Sequence, residues 1–257
     1  MLSLPAAAAL VARLQVVAST GSTNADLLRA AAAEPDGWPA PSVLASDHQT
    51  AGRGRLGRSW SAPAGTSLAV SVLLRPRLPA ERLGWLSLAA GAAMTANLRE
   101  LGVAASAKWP NDVLIGDRKV CGVLAQALPD GGGVVIGAGL NHAARPDDLP
   151  VPTATSLAIE GGPQDPDLLV SGWLRRLLAL AADFEAAGGD ADAGLRGEVL
   201  AVSGTVGRAV RVALPDGSAL VGTAVDVDAE GRVVVDAGPM RGTAALPAGD
   251  VEHLRYE

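Results

Sequence analysis

Apolar and polar positions in the first hundred residues predict strands alternating with helices. Short apolar runs at 13–17, 41–49 and 66–75 predict strands. A helix is predicted at 25–33, directly after a serine-threonine-asparagine signal typical of a helix N-terminus. Apolar and small side chains recur at near-helical spacing over 79–101 and predict a longer helix. Its small residues would allow close packing against a sheet.

The middle of the chain predicts consecutive antiparallel strands followed by helices. Four apolar segments, separated by Gly-Asp and Pro-Asp-Gly turn signals, lie at 103–109, 113–115, 119–128 and 133–142. Helical spacing of apolar residues predicts a helix over 165–187, and a weaker pattern predicts another around 190–202. The predicted fold class is therefore α+β, with helices packed on a mixed sheet.

After residue 203 the pattern changes to short valine-rich runs separated by glycine turns. We interpret this stretch as a small β-barrel or sheet, which divides the chain into domains 14–203 and 204–257. A domain of about 50 residues is marginal alone. We therefore expect it to lean on the larger one.

Composition limits the classes of function. The chain has 257 residues, 49% of them hydrophobic, but no apolar run long enough for a membrane-spanning helix, and its first residues lack the basic start of a signal peptide. A single cysteine, Cys121, indicates a reducing, cytoplasmic location, and we assign it no chemistry. The three histidines lack zinc-ligand spacing, and the net charge of −6 argues against DNA as a partner.

A glycine and arginine segment stands out in the long polar connection between two predicted strands. Residues 52–58, GRGRLGR, combine glycines that let the backbone approach an anion with Arg53, Arg55 and Arg58 that neutralise it. A disordered arm that binds nucleic acid is the alternative, and the acidic chain argues against it. Neither lysine is followed by Ser or Thr, as a P-loop requires, and no G-x-G-x-x-G motif opens a helix.

The two lysines lie close together in a chain that otherwise uses arginine. Of 21 basic residues only Lys108 and Lys119 are lysine, and they flank one predicted hairpin together with Asn111 and Asp112. Chance placement under a bias toward arginine is the alternative. The hairpin would bring these polar side chains together in space.

Five segments, in order and in spacing, resemble the motifs of the biotin protein ligases. They are STN at 22–24, Q-x-A-GRGRLGR at 49–58, KWPND at 108–112, RKVCGVL at 118–124 and GAGLN at 137–141. The resemblance implies a class II aminoacyl-tRNA synthetase-like catalytic domain over 14–203 and an SH3-like β-barrel over 204–257. Because the motifs begin within about twenty residues of the start, we expect the type without an N-terminal DNA-binding domain.

The resemblance also implies a reaction. Biotin and ATP would form biotinyl-5′-AMP and pyrophosphate, and biotin would then pass to a lysine of a biotin carboxyl carrier domain. Both reactants of the first step are anions, and two unit charges ~4 Å apart repel by ~4 kcal/mol at an effective dielectric of about 20, so cations are required. Mg²⁺ is expected to be held mainly by the ATP phosphates, and the protein is expected to be a monomer or homodimer.

The resemblance assigns roles to individual residues. Biotin would be contacted by Ser22, Thr23, Asn24, Gln49, Gly52, Arg53, Gly54, Arg55, Lys119 and Gly122. ATP or the adenylate would be contacted by Arg53, Arg55, Trp60, Asn111, Lys119, Gly139 and Asn141. Catalytic roles would fall to Arg53, Lys108, Lys119 and Asp112, the last orienting or deprotonating the acceptor lysine.

Several of these assignments have alternatives. Ser22 and Thr23 could simply cap a helix, and Trp60 and Trp109 could be core residues. A lipoate ligase or octanoyl transferase would share the fold, although the GRGRLGR and KWPND segments favour biotin. A non-catalytic biotin sensor is the alternative from a different class, and it would bind biotin without releasing pyrophosphate.

Overall fold

A seven-stranded mixed sheet organises the larger part of the chain. The computed structural model describes residues 2–214, 217–247 and 250–253. The strands of this sheet are β1 (Arg13–Val16), β2 (Ser42–Ser46), β5 (Ser67–Leu74), β6 (Ala105–Lys108), β7 (Asp112–Ile115), β8 (Arg118–Ala127) and β9 (Val134–Asn141). Their order is β1-β2-β5-β9-β8-β7-β6, with β1 and β2 parallel and the remaining neighbours antiparallel. The predicted strands, including the four consecutive antiparallel ones, are confirmed.

In the described residues, five α-helices accompany the sheet. They are α1 (Pro5–Ala8), α2 (Thr23–Ala33), α3 (Trp85–Glu100), α4 (Pro166–Ala186) and α5 (Leu195–Ala201). The long helix predicted from residue 79 begins only at Trp85, because Pro79 and Gly84 flank a separate 3₁₀ turn at Ala80–Arg82. Among the described residues, no helix combines the length and apolar character that a membrane crossing needs.

The core lies mainly between the sheet and the pair α3 and α4. Trp85, Trp173 and Phe184 are among the largest fully buried side chains, and Trp173 Nε1 donates a hydrogen bond to the Ala90 carbonyl 3.1 Å away. A buried indole N–H needs such an acceptor, and α3 supplies it. The helix pair therefore fixes the back of the sheet, leaving the opposite face to α2 and the loops.

The C-terminal part forms a five-stranded antiparallel sheet. Its strands are β10 (Ala209–Ala213), β11 (Ala219–Val227), β12 (Val233–Asp236), β13 (Thr243–Leu246) and β14 (Asp250–His253), in the order β13-β12-β11-β10-β14. A β-bulge interrupts β11 between Ala224 and Asp226. The predicted small β structure is thus confirmed in the described residues of this part.

This second sheet is hydrogen-bonded to the larger part of the molecule. Trp85 Nε1 donates to the Ala229 carbonyl and Trp109 Nε1 donates to the Gly231 carbonyl, both at 3.0 Å. Arg208 is ion-paired with Asp117 at 3.0 Å. The expectation that the small module leans on the larger one is met, and its contact with Trp109 places it beside the KWPND segment.

The contact between α3 and α4 depends on a glycine. Asn97 is buried and its Nδ2 donates to the Leu169 carbonyl at 3.1 Å, while a Cβ added at Gly172 would overlap Asn97 Oδ1. Glycine at position 172 therefore leaves the space that Asn97 occupies, although glycine lowers the stability of a helix relative to alanine.

We expect Gly172→Ala to lower the free energy of unfolding by about 1–3 kcal/mol, because the added methyl group displaces Asn97. Gly91→Ala in α3 is the matched control, since a Cβ there meets nothing within 4 Å. That variant should be unchanged or up to about 1 kcal/mol more stable. Urea unfolding of the three proteins measures both values, and equal stability of the two variants would contradict the packing argument.

Candidate active site

One cavity collects most of the predicted site residues. It has a volume of about 260 Å³ and lies over β5, β8 and β9, between the N-terminus of α2, the 49–60 connection and the 108–112 segment. The predicted residues that line it are Ser22, Thr23, Asn24, Gln49, Arg53, Gly54, Arg55, Trp60, Lys108, Asn111, Asp112, Lys119, Gly122 and Gly139. A concave site in which several polar and charged groups converge is typical of small-molecule binding.

The N-terminus of α2 supplies an uncharged polar end to the cavity. Ser22 is the N-cap of α2, and its Oγ accepts from the Ala25 N–H at a long 3.5 Å, so the capping alternative holds for Ser22 while the residue also lines the cavity. Gln49 Oε1 accepts from the Thr23 backbone N–H at 2.8 Å. This bond turns the Nε2 of Gln49 away from the helix as a free donor group, because an amide has one oxygen and one nitrogen.

A pair of glycines forms the floor beneath Trp60. Gly122 on β8 and Gly139 on β9 are register partners, and Cβ atoms added at these positions would lie 3.2 Å and 2.6 Å from the indole ring. The ring therefore lies against bare backbone. Lys119 Nζ is 5.6 Å from the ring centroid on the same side of the sheet. Trp60 is thus a half-buried wall of the cavity and not a core residue.

The opposite end of the cavity is cationic. Lys119 Nζ lies 2.6 Å from Asp112 Oδ1, so the predicted proximity of the two is confirmed. Arg55 Nη1 donates to Asn111 Oδ1 at 3.4 Å, and partial burial lowers the pKa of this guanidinium, an effect that the nearby Asp112 carboxylate opposes. With Arg53, Arg58 and Lys108 in the same lining, five cations face one space.

The glycine and arginine segment has local structure. The two-residue strands β3 (Gly52–Arg53) and β4 (Ser59–Trp60) pair with each other, and a 3₁₀ turn at Arg55–Gly57 joins them. Leu56, at the tip, has a φ of 55° and a largely exposed side chain. This ribbon aims Arg53 and Arg55 at the cavity.

Two predicted residues lie outside the cavity lining. Asn141 is buried and its Nδ2 donates to the Thr155 carbonyl at 3.0 Å. Gly52 is buried where a Cβ would meet the Trp60 carbonyl and, at 2.8 Å, Gln49 Nε2. Both positions shape the surroundings of the site, and a direct ligand contact for either stays a prediction.

The C-terminal sheet contributes a wall that the sequence did not predict. Val251 on β14 lines the cavity. Thr205 Oγ1 accepts from the Trp109 backbone N–H at 3.0 Å and lies 3.1 Å from His253 Nε2. That oxygen keeps its proton and a second lone pair, so it can pair with either tautomer of the His253 ring. Burial, with Lys108 and Arg208 nearby, lowers the pKa of His253 to about 4.

Gly137 also lines the cavity, and the sequence did not predict it. Trp109, for which a core position was the alternative, lines the cavity as well. It is only 6% exposed and its Nε1 donates to the Gly231 carbonyl, so it is a core residue with one edge at the site. Gly137 opens the GAGLN segment, and its glycine inside a strand was the available signal. In the described part of the chain, no three His, Cys, Asp or Glu side chains are grouped to hold a metal ion.

Known proteins resemble the chain over almost its full length. Residues 16–141 match the Biotin/lipoate A/B protein ligase family, and residues 205–254 match the Biotin protein ligase C terminal domain. A biotin--[acetyl-CoA-carboxylase] ligase of Mycobacterium tuberculosis is 43% identical over 251 residues, which are 95% of this chain and 90% of that protein. The chain therefore belongs to the biotin protein ligase family.

Solved structures agree with this assignment. The biotin protein ligase from Aquifex aeolicus in complex with biotin and ATP is 25% identical and superposes with a TM-score of 0.77, covering 95% of this chain and all of that one. The biotin protein ligase from Leishmania major in complex with biotinyl-5-AMP, at 23% identity and a TM-score of 0.60, covers 95% of this chain and 99% of that one. The second likeness is one of fold.

The reactivity of the Cys121 thiol reports whether the sheet beneath the site is packed as the structure describes it. Its side chain is fully buried, and desolvation raises the pKa of the thiol to about 12. We expect no reaction with iodoacetamide at pH 8 while the protein is folded, because the thiol is both protonated and inaccessible. After unfolding in urea, the one thiol per chain should react fully, as followed by mass spectrometry. Equal labelling rates in both states would contradict the structure.

Proposed function

We propose that the protein is an ATP-dependent biotin protein ligase that forms biotinyl-5′-AMP and transfers biotin to a lysine of a carrier domain. The observation that carries this function is a single cavity with an uncharged hydrogen-bonding end at Thr23 and Gln49 and a cationic end at Lys119 and Arg55. Biotin has the same two halves, a neutral ureido head and a carboxylate. Membership of the family and the identity with the mycobacterial ligase support the same reaction.

The uncharged end suits the ureido head. A ureido group presents one carbonyl acceptor and two N–H donors, so it needs donors and acceptors fixed at known places. Gln49 offers N–H groups, since its oxygen is engaged by Thr23, and Ser22 and Asn24 line the same end. Gly122 and Gly54 also line the cavity and present only backbone to it.

The cationic end suits the first chemical step. A carboxylate oxygen of biotin attacks the α-phosphorus of ATP, the bond from that phosphorus to the bridging oxygen of pyrophosphate breaks, and pyrophosphate leaves. Lys119, Arg55 and Arg53 neutralise charge on the two anions as they approach, with Lys108 at the same rim. Such preorganised cations act most strongly in a partly enclosed site. Mg²⁺ would be carried in by the ATP phosphates and would neutralise the pyrophosphate further.

Asp112 connects the two steps. Asp112 Oδ1 lies 2.6 Å from Lys119 Nζ and balances its charge. Lys119 then exchanges this partner for the biotin carboxylate and, after the first step, for the phosphate of the adenylate. Asp112 then faces the incoming lysine amine and either orients it or accepts its proton as the amine attacks the acyl carbon. The new amide bond forms, the bond from the acyl carbon to the phosphate oxygen breaks, and AMP leaves.

The remaining assignments concern the nucleotide and the context. Trp60, whose ring lies against the backbone of Gly139, shields the adenylate from water. Asn111 contacts the nucleotide beside Arg55. The acceptor is a biotin carboxyl carrier domain of a carboxylase, the enzyme works in the cytoplasm as a monomer or homodimer, and residues 14–203 form its catalytic domain. The C-terminal domain, 204–257, closes the site through Val251.

Substitution of two cations tests the proposal. We expect Lys119→Ala and Arg53→Ala each to slow ATP-dependent incorporation of biotin into a purified carrier domain by about 10²–10³-fold, because each removes charge that stabilises the transition state. Incorporation is measured with radiolabelled biotin, and lipoate in place of biotin should give no product.

Arg77→Ala is the matched control. Arg77 is an exposed arginine paired with Glu185 at 3.0 Å, away from the cavity lining, and such a pair contributes about 1 kcal/mol or less. Its activity should match that of the unmodified protein. If both site variants kept full activity, or if Arg77→Ala lost as much, the assignment of the cationic end would be wrong.

A further inference from the structure

A buried serine on the central strand contacts two of the residues at the uncharged end of the cavity. Ser71 lies in β5, where all eight residues are buried, and its side chain is fully shielded from solvent. Its Oγ is 2.6 Å from Asn24 Oδ1 and 2.8 Å from Thr23 Oγ1. A hydroxyl in an apolar strand needs partners, and here both partners come from the first turn of α2.

The orientation of the Asn24 amide is fixed by its own partners. Asn24 Nδ2 donates to the Leu124 carbonyl at 2.9 Å and to Gln126 Oε1 at 3.1 Å. A backbone carbonyl can only accept, so the nitrogen must face β8 and the oxygen must face Ser71. The single proton of Ser71 therefore goes to Asn24 Oδ1.

The direction of the Thr23 hydroxyl follows from that bond. Ser71 has no second proton, so the 2.8 Å contact between the two hydroxyl oxygens requires Thr23 to donate to Ser71. Gln49 Oε1, at 3.2 Å, is the more distant acceptor for the same proton and already accepts the Thr23 backbone N–H at 2.8 Å. With its proton given to Ser71, Thr23 Oγ1 can act toward a ligand only as an acceptor.

We propose that Ser71 is a positioning residue that fixes the Thr23 hydroxyl as an acceptor toward the cavity, so that the site selects a ligand head with an N–H donor at that position. The inference rests on the proposed function, in which the head is a cyclic urea. It makes Ser71 a determinant of specificity although it lies behind the residues that line the cavity.

The strand opposite Ser71 supports this arrangement. Gly137 on β9 is the register partner of Ser71, and a Cβ at Gly137 would overlap Asn24 Oδ1. Ser71 therefore binds the Asn24 amide oxygen, and Gly137 leaves the space that this amide occupies. No larger residue fits at Gly137 without turning that amide.

The test compares biotin with cyclic carbamate analogues in which a ring oxygen replaces one ureido N–H, both regioisomers being used. Isothermal titration calorimetry gives the affinities of the unmodified protein, Ser71→Ala and the control Ser67→Ala. Ser67 lies on the same strand, and its hydroxyl has no hydrogen-bond partner in the described part of the chain. In the unmodified protein, the isomer whose oxygen faces Thr23 should bind more weakly than biotin, since two acceptors then meet.

We expect Ser71→Ala to reduce the preference for biotin over that isomer by about tenfold. The Thr23 hydroxyl then keeps only the more distant Gln49 Oε1 as an acceptor within the site and can turn to donate to the analogue. Ser67→Ala should leave the preference unchanged. If Ser71→Ala weakened biotin and the analogue by the same factor, or altered neither, the inference would be overturned. Failure of the unmodified protein to bind biotin would instead overturn the proposed function, and this arm separates the two failures.

Two further variants keep the test decisive. If Ser71 acts through Thr23, the double variant Ser71→Ala with Thr23→Val should show the same preference as Thr23→Val alone, and an additive effect would contradict the proposal. If circular dichroism shows that Ser71→Ala does not fold, Asn24→Ala replaces it. That change frees the Ser71 proton by another route and should reduce the preference in the same way, whereas an unchanged preference would overturn the inference.

Discussion

The register of three antiparallel strands is the constraint on which the rest of the site depends. The pairing of β5 with β9 sets Ser71 against Gly137, and the pairing of β9 with β8 sets Gly139 against Gly122. A shift of β9 by one residue would turn Gly137 and Gly139 to the other face of the sheet. Gly139 would then no longer provide the floor, and alanine, isoleucine or leucine side chains of β9 would face Trp60 and the cavity.

The two ends of the cavity follow from what is attached to that floor. The first turn of α2 meets one end and contributes neutral polar groups whose hydrogen bonds are satisfied within the protein in fixed directions. The β7 and β8 hairpin meets the other end and contributes Lys119 with its counterion Asp112. A long ligand that is neutral at one end and anionic at the other therefore has only one favourable orientation.

Much of this arrangement could be predicted from the sequence. The hairpin between β7 and β8 was evident from its turn signal, so the proximity of Lys119 and Asp112 followed from local pattern alone. The glycine and arginine segment could be predicted as part of the site from its unusual composition. Short sequence separation and unusual composition are signals that a single sequence carries.

Other parts could not be predicted, because they depend on contacts between distant segments. Thr205 and His253 lie behind Trp109 only because the C-terminal sheet docks there, and no local pattern encodes that docking. Asn141 ends the GAGLN segment, yet the strand directs its amide to Thr155, away from the cavity. Ser71 looked like one more residue of an apolar strand, and its importance appears only with the orientation of Asn24.

If one cavity both binds biotin and activates it with ATP, the protein should release pyrophosphate on rapid mixing with ATP and biotin, with no acceptor present. We expect a burst of about one pyrophosphate per protein chain that requires biotin, since the adenylate would stay bound until an acceptor arrives. Tight biotin binding without any pyrophosphate release would contradict it and would identify the protein as a sensor of biotin.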